Sequence, residues 1–486
     1  MSKLSAPPCG GTVCSPGGVF FDTKFECNIF HTLNLEMNQA CTICGKEFAK
    51  KAQLQKHMER KRPCKAPVAL IQNTVHQALE EAGVSHLEVP STEFREVSKK
   101  FNSCLSKEER LEQGIFFTPK KARDVLFAKL TELGVNPKKV LEPSFGSGEF
   151  LLDARRLYPE ADIIGVEKNQ TLFSAVKCPG STLTCCDFLE WKGCADLMIG
   201  NPPYFVLKTD TMPAKEKKEF VEKYSNCMTG RPNIYVLFLK KCLEEHLEVD
   251  GFLAFIIPTS LYNCSYYQPM RNYIQKNTTI CYLETLNKPG FFETGQETML
   301  IILQKKKLND DYIFKSKSGN VYISPFYKEL YEITKDRPTL VDLGLGAKTG
   351  NIVWNQVKDN LSDSGTLLVY SSNINNSELK LDNLCGKSRK QYVTGIDKPK
   401  LNGPVILVER GYGNSFSFNA VLVELKEFYA ENHINVIYPK TEEGAANLKR
   451  VIKSFHDERS KKFVKWFLGN GSVSATDIET LIPIFE

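Results

Sequence analysis

From residue 140 to residue 304 the chain alternates short apolar runs with amphipathic stretches. Ala195–Gly200 is an apolar run that predicts a buried strand, and Val140-Leu141, Asp162–Val166 and Ser181–Cys186 predict three more strands. Helical spacing of apolar positions predicts helices from Ala122 to Leu133, from about Phe150, from Asn233 to Glu248 (apolar at Ile234, Leu237, Phe238 and Leu243) and from Gln268 to Gln275. Further strands are predicted at Gly251–Pro258, Thr279–Leu286 and Glu297–Gln304, giving a doubly wound α/β sheet of about seven strands. Thr118 and Pro119 suit the cap and first position of the helix at Ala122. Residues 206–230 read as a polar loop. Beyond about residue 335 the pattern breaks into short β-like runs with Gly/Asn turns, such as Val405–Arg410 and Asn435–Pro439. Gly346–Gly350 lacks the strand–helix context of a phosphate loop, and Arg459–Phe467 is a basic stretch with aromatics that fits either a solvated helix face or a DNA-backbone stripe.

The strand ends carry the chemistry. The first predicted strand ends in Glu142, followed by Pro143-Ser144-Phe145-Gly146-Ser147-Gly148 and a helix start. Glycines let a ligand approach the backbone, and a helix N-terminus offers unpaired N–H groups. The second strand ends in Glu167, nineteen residues past Gly148, where nucleotide-binding sheets hold a ribose. The third ends in Asp187 and the fourth in Asn201-Pro202-Pro203-Tyr204. Two prolines cannot donate to a ladder, so the strand stops there and the Pro202 carbonyl stays free to accept. An amide, a carbonyl and an aromatic ring then converge where a planar amino group could be held. Singly, each acidic residue reads equally well as a cap or surface charge; the ordered series is harder to explain that way.

The 486 residues carry a net charge of +6, with 42% hydrophobic and 25% charged positions, which allows a nucleic-acid partner without requiring one. No apolar run approaches the roughly 18 residues of a membrane span. Sixteen cysteines without a secretory signal predict a reducing, intracellular location. Six of them precede residue 65. Cys41 and Cys44, followed by His57 and Cys64, have zinc-ligand spacing, with Phe48 and Leu54 placed as a small core. The unit resembles a ββα zinc finger whose last ligand is Cys, one structural Zn²⁺ supplying the folding free energy that so short a segment lacks. In such a finger Lys50, Gln53 and Lys56 would face DNA bases, while a protein-docking role stays open. Residues 1–38, Gly/Pro/Ser/Thr-rich with Cys9, Cys14, Cys27 and His31, predict a flexible arm; 67–108 predict a helical connector.

Taken together, the Thr118-Pro119 helix, Glu142-Pro143 with its glycine loop, Glu167, Asp187 and Asn201-Pro-Pro-Tyr resemble the gamma-class N6-adenine DNA methyltransferases, the Taq-type enzymes of restriction-modification systems. The resemblance covers roughly 110 to 486 and includes Val405–Arg410 and Ser474–Ile484; the finger lies outside it. It implies a Rossmann-like, seven-stranded catalytic domain (109–334) dependent on S-adenosylmethionine, and a mixed α+β target-recognition domain (335–486). Thr118, Glu142, Pro143, Ser144, Gly146 and Gly148 would hold the methionine end of the cofactor, Glu167 its ribose and Asp187 its adenine, with Asn201 adjoining. Asn201 and the Pro202 carbonyl would accept hydrogen bonds from the target amino group. Tyr204 and Phe292 would stack on the flipped base, Phe291 being the alternative to Phe292. Arg410 would contact DNA. Double-stranded DNA is the implied partner of a monomer, with room for a separate cognate endonuclease and no membrane role. Methylation of RNA or a protein glutamine, or an inactive DNA-binding regulator, stays open.

Overall fold

The computed structural model describes residues 39–40, 47–48, 55, 94–104 and, with breaks at 208, 210–211, 231–232, 287–296, 382–389, 412–415 and 468–471, residues 117–486. Two units are distinguished, Met1–Leu70 and Ile71–Glu486. In the first, Gln39–Ala40 pairs antiparallel with Glu47–Phe48. Cys41, Cys44, His57, Cys64, Lys50, Gln53, Lys56 and the arm at 1–38 lie outside the described residues.

The second unit is built on a seven-stranded sheet. Its strands are β1 (Lys139–Glu142), β2 (Asp162–Glu167), β3 (Ser181–Cys185), β4 (Ala195–Gly200), β5 (Leu247–Pro258), β6 (Thr279–Leu286) and β7 (Thr298–Gln304). Their spatial order is β3-β2-β1-β4-β5-β7-β6, and β7 alone runs antiparallel to the rest. The strand order reverses direction at β1 and β4, which pair side by side with Val140 opposite Leu197. The side chains of Val140, Leu141, Leu197, Met198 and Ile199 are fully buried, as the apolar runs require when helices cover both sheet faces. The helices of this part are α1 (Glu96–Cys104), α2 (Lys120–Glu132), α3 (Glu149–Leu157), α4 (Gln170–Ala175), α5 (Ala214–Tyr224), α6 (Ile234–Lys241) and α7 (Gln268–Asn277). Asn169 caps α4, its side-chain oxygen accepting from the Thr171 and Leu172 N–H groups.

Two local expectations change. Thr118 does not cap α2: the cap position is Pro119, and no side chain bonds the first turn. The region 206–230 is not all loop, because α5 forms there on Lys/Glu pairs at i,i+4, Lys215 with Glu219 and Lys218 with Glu222.

Beyond a small hairpin, β8 (Ile313–Lys315) with β9 (Val321–Ile323), and α8 (Tyr327–Thr334), the C-terminal part forms two four-stranded sheets. The first joins β10 (Leu345–Thr349), β14 (Val405–Glu409), β15 (Ala420–Val423) and β17 (Ile434–Pro439). The second joins β11 (Leu361–Ser362), β12 (Thr366–Val369), β13 (Tyr392–Val393) and β16 (Phe428–Ala430). Helices α9 (Glu442–Phe455), α10 (Glu458–Phe467) and α11 (Ala475–Thr480) follow. Two of the three aromatics in the basic stretch at 459–467 are core, Phe463 and Phe467, while Trp466 is half-buried; Asn263 donates to the Phe467 carbonyl at 2.9 Å. Among the described residues no helix is long and apolar enough to cross a membrane.

Gly350 follows β10 where the two sheets meet. A Cβ there would lie 2.1 Å from the Glu431 carbonyl oxygen and 2.6 Å from that of Ala430, and backbone cannot swing aside. Gly350→Ala is expected to lower unfolding free energy by about 1–3 kcal/mol in chemical denaturation, the range for overpacking at a closed site; an unchanged midpoint would contradict the close approach.

Candidate active site

The C-terminal ends of β1, β2, β3 and β4 lie side by side, so Glu142, Glu167, Asp187 and Asn201 are gathered along one edge of the sheet. The glycine loop leaves β1 and turns into α3 with Gly146 and Gly148 in the left-handed region (φ 53° and 75°). A side chain is costly at either φ, and at Gly148 a Cβ would also come within 2.5 Å of Val176.

Glu167 fastens the loop from the next strand. One carboxylate oxygen accepts from the Gly146 N–H at 2.8 Å and the other from Asn169 N–H at 2.7 Å. Burial pushes its pKa up, opposed by those N–H groups. Asp187 accepts from the Leu189 N–H at 2.9 Å and pairs with exposed Lys168 at 2.7 Å. Glu142 is buried at the centre, with Oε2 lacking a partner among the described residues; the buried Ser144 hydroxyl lacks one too. Burial raises the Glu142 pKa well above the ordinary range, and the nearby carboxylates of Glu167 and Glu149 raise it further. Buried polar atoms without partners are uncommon in folded proteins and mark a place where a ligand completes the bonding. Gly200 keeps the floor open beside them: a Cβ there would touch the Glu142 Cγ at 3.5 Å.

Asn201 is held from two sides. Its Nδ2 donates to the Thr118 hydroxyl at 3.0 Å, while its Oδ1 faces the Tyr204 hydroxyl. The Tyr204 hydroxyl also reaches the Ile256 carbonyl on β5 at 2.6 Å, and its one proton serves one acceptor at a time. The Tyr204 ring is buried, edge-on to Tyr235 at 6.3 Å. Thr118, which fails as a helix cap, thus points its side chain into the site. Phe291 and Phe292 lie outside the described residues. Arg410 lies far along the chain at the end of β14, half-buried, with its guanidinium turned to the Asn432 carbonyl at 3.3 Å. Among the described residues no group of three or more His, Cys, Asp or Glu is arranged to hold a metal ion.

A buried ionic cluster behind the glycine loop is absent from the motif series. Arg123 on α2 donates to Glu149 and Asp153 on α3, both at 2.7 Å, and to the Thr118 carbonyl. Arg95 and Ser98 approach the same Glu149 from the other side. A signal for it stands in the sequence: Arg123 occupies the apolar stripe of α2, with Ala122, Leu126, Phe127 and Leu130. A charge on such a stripe requires a buried partner.

The sequence profile of the Eco57I restriction-modification methylase family matches residues 155–292. The Type II methyltransferase M.CvrRI of Paramecium bursaria Chlorella virus XZ-6E is 31% identical over 404 residues, covering 81% of this chain and 99% of its own. The modification methylase CviBIII of Paramecium bursaria Chlorella virus NC1A is 28% identical over 409 residues, with the same coverage. The Type II methyltransferase M.AccI of Acinetobacter calcoaceticus is 27% identical over 255 residues, 51% of this chain and 46% of its own.

Removing Arg123 would take from Glu149 and Asp153 their one buried cationic partner among the described residues, leaving Glu149 to Ser98 and the Arg95 N–H and Asp153 to the exposed Arg156. Arg123→Ala is expected to destabilise the fold by about 3–5 kcal/mol, read from urea unfolding followed by circular dichroism. A loss below 1 kcal/mol would mean that the carboxylates are not held as charges.

Proposed function

We propose, for a chain that belongs to the Type II methyltransferases of restriction-modification systems, that it transfers a methyl group to the N6 amino group of adenine in a specific duplex DNA sequence. The observation that carries this reading is the placement of Asn201. Its amide is oriented by Thr118 so that Oδ1 faces an O–H donor, at the end of the strand beside buried, underbonded Glu142.

S-adenosylmethionine supplies an activated methyl group on a sulfonium. The residues present fit its binding. Glu142 and Ser144 offer unpaired acceptors toward its cationic methionine end, and the Gly146–Gly148 turn lets it approach the backbone. Glu167 stands where ribose hydroxyls would be accepted, and Asp187 where the cofactor adenine would be.

An exocyclic amino group is a poor nucleophile because its lone pair is delocalised into the ring. Asn201 Oδ1 and the Pro202 carbonyl would accept its two hydrogens and localise the lone pair, so the reaction asks for positioning more than for a strong base. The target base must leave the duplex to reach them, at a cost of a few kcal/mol. Stacking on Tyr204 and on Phe292 or Phe291 would return roughly 1–3 kcal/mol per ring. The C-terminal part, with Arg410, would read the flanking sequence. At the N-terminus Cys41, Cys44, His57 and Cys64 would hold one zinc ion, a reading supported by their spacing and by the pairing of 39–40 with 47–48; Lys50, Gln53 and Lys56 would then face DNA.

Asn201→Ala is expected to reduce methyl transfer at least 100-fold, about 3 kcal/mol of transition-state stabilisation, while leaving cofactor affinity nearly unchanged. Sequencing of modified bases after expression in a methylation-deficient bacterium should show N6-methyladenine at one motif; label transferred instead to RNA or protein would overturn the reading.

The cationic cofactor also bears on Glu142. In the free protein burial and neighbouring carboxylates favour its protonated form. A bound cation favours the carboxylate, so binding releases a proton and affinity rises as pH climbs toward the raised free-state pKa. Calorimetry in buffers of different ionisation enthalpy should detect that release in the native protein and a smaller one in Glu142→Gln. Equal release in both would remove Glu142 from the cofactor site.

A further inference from the structure

Residues 94–104 belong to a stretch that reads as a connector, yet they pack into the back of the glycine loop. Phe94, Val97 and Phe101 are buried, and so are Arg95 and Ser98. Among the described residues, the hydrogen bonds that the Arg95 and Ser98 side chains and the Arg95 backbone N–H make with the loop and with α3 fall on residues adjoining Gly148. The Arg95 guanidinium donates to the Ser147 carbonyl, and the Arg95 N–H to Glu149 Oε1 at 3.1 Å. Ser98 Oγ donates to Glu149 Oε1 at 2.5 Å and lies 2.8 Å from Ser147 Oγ. Glu149 is in turn bonded to Arg123, which holds the Thr118 carbonyl. Phe101 meets Phe117 edge to face at 6.1 Å, and the Phe117 ring lies 3.6 Å from where a Gly146 side chain would begin.

We infer that α1, with Arg95 ahead of it, is part of the cofactor site: a strap in which Arg95 and Ser98 are positioning residues for the glycine loop. The physical case is one of strain and order. Gly146 and Gly148 hold left-handed conformations, and a glycine-bearing loop has more backbone freedom to lose than any other. Glu167 fixes only its front, at Gly146. At its rear the loop is fixed by Ser147 and Glu149, and both are held by the strap. An ordered loop binds its ligand without spending binding energy on its own immobilisation. Helix α1 therefore acts on cofactor affinity while touching neither the cofactor nor the target base.

The inference rests on the glycine loop being the cofactor site. Its test uses the full chain carrying Ser98→Ala, which removes a hydroxyl and leaves both arginine–carboxylate pairs intact. The dissociation constant for S-adenosylmethionine, measured by calorimetry, is expected to rise about tenfold, in keeping with one or two lost hydrogen bonds to a charged network. Turnover at saturating cofactor and affinity for duplex DNA should stay within about twofold, and the melting temperature within a few degrees. Arg95→Lys, which keeps the charge but not the reach to Ser147, should show the same split and serves if Ser98→Ala folds poorly. Unchanged cofactor affinity in both variants overturns the strap. So does parallel loss of cofactor affinity, DNA affinity and melting temperature, which would make α1 merely structural. Failure of the unsubstituted protein to bind S-adenosylmethionine would instead overturn the reading of the loop itself, and the two failures are thereby told apart.

Discussion

Parallel pairing of β1 with β2 and β4 is the constraint on which the rest depends. Neighbouring parallel strands end at the same edge, so residues fifteen to sixty positions apart in the chain arrive there together. That edge can hold charge only because it is the rim of the sheet. Below it the strands are sealed by apolar side chains on both faces, and Glu142, one residue beyond Leu141, is already buried. The chemistry of the edge is therefore the chemistry of carboxylates and an amide partly removed from water. Their bonding is uneven: Glu167 and Asp187 are engaged, while Glu142 keeps an oxygen without a protein partner among the described residues.

Such an edge has to be held open without collapsing, and the structure does this from behind. Arg123, Glu149 and Asp153 form a buried ionic knot that locks α2 to α3, and Arg95 with Ser98 locks α1 onto the same carboxylate. Ion pairs of this kind add little net stability over an apolar core, but they accept few alternative geometries. The site's front is softer. Tyr204 lends its hydroxyl to the Asn201 amide oxygen or to the Ile256 carbonyl.

Much of the seven-stranded sheet was legible from residue pattern. Buried parallel strands are written as unbroken apolar runs, and β4 and β6 fall at the expected residues. Four polar strand ends were legible for the same reason, since each closes an apolar run. Less was legible where local and tertiary preferences diverge. Thr118 has the makings of a cap, but its hydroxyl serves Asn201 instead. Helix α5 escaped notice because its support is charged pairs on an exposed surface, without a long apolar stripe. In the C-terminal sheets Val405–Arg410 and Asn435–Pro439 were legible as strands, while the rest, two- to five-residue strands joined out of sequence order, leave little periodicity to read.

By itself, then, the sequence determined the α/β class, the succession of its strands along the chain and the polar residue closing each of the first four, because burial imposes a period on any chain that must cover a sheet. Only the tertiary structure decided the sheet order, which of those residues keeps an oxygen without a hydrogen-bond partner among the described residues, which way Asn201 presents its amide, and that residues 94–104 are bound to the glycine loop. Those depend on contacts between residues about thirty to eighty positions apart, such as Arg123 with Asp153 and Thr118 with Asn201, and no local pattern encodes a contact at that range.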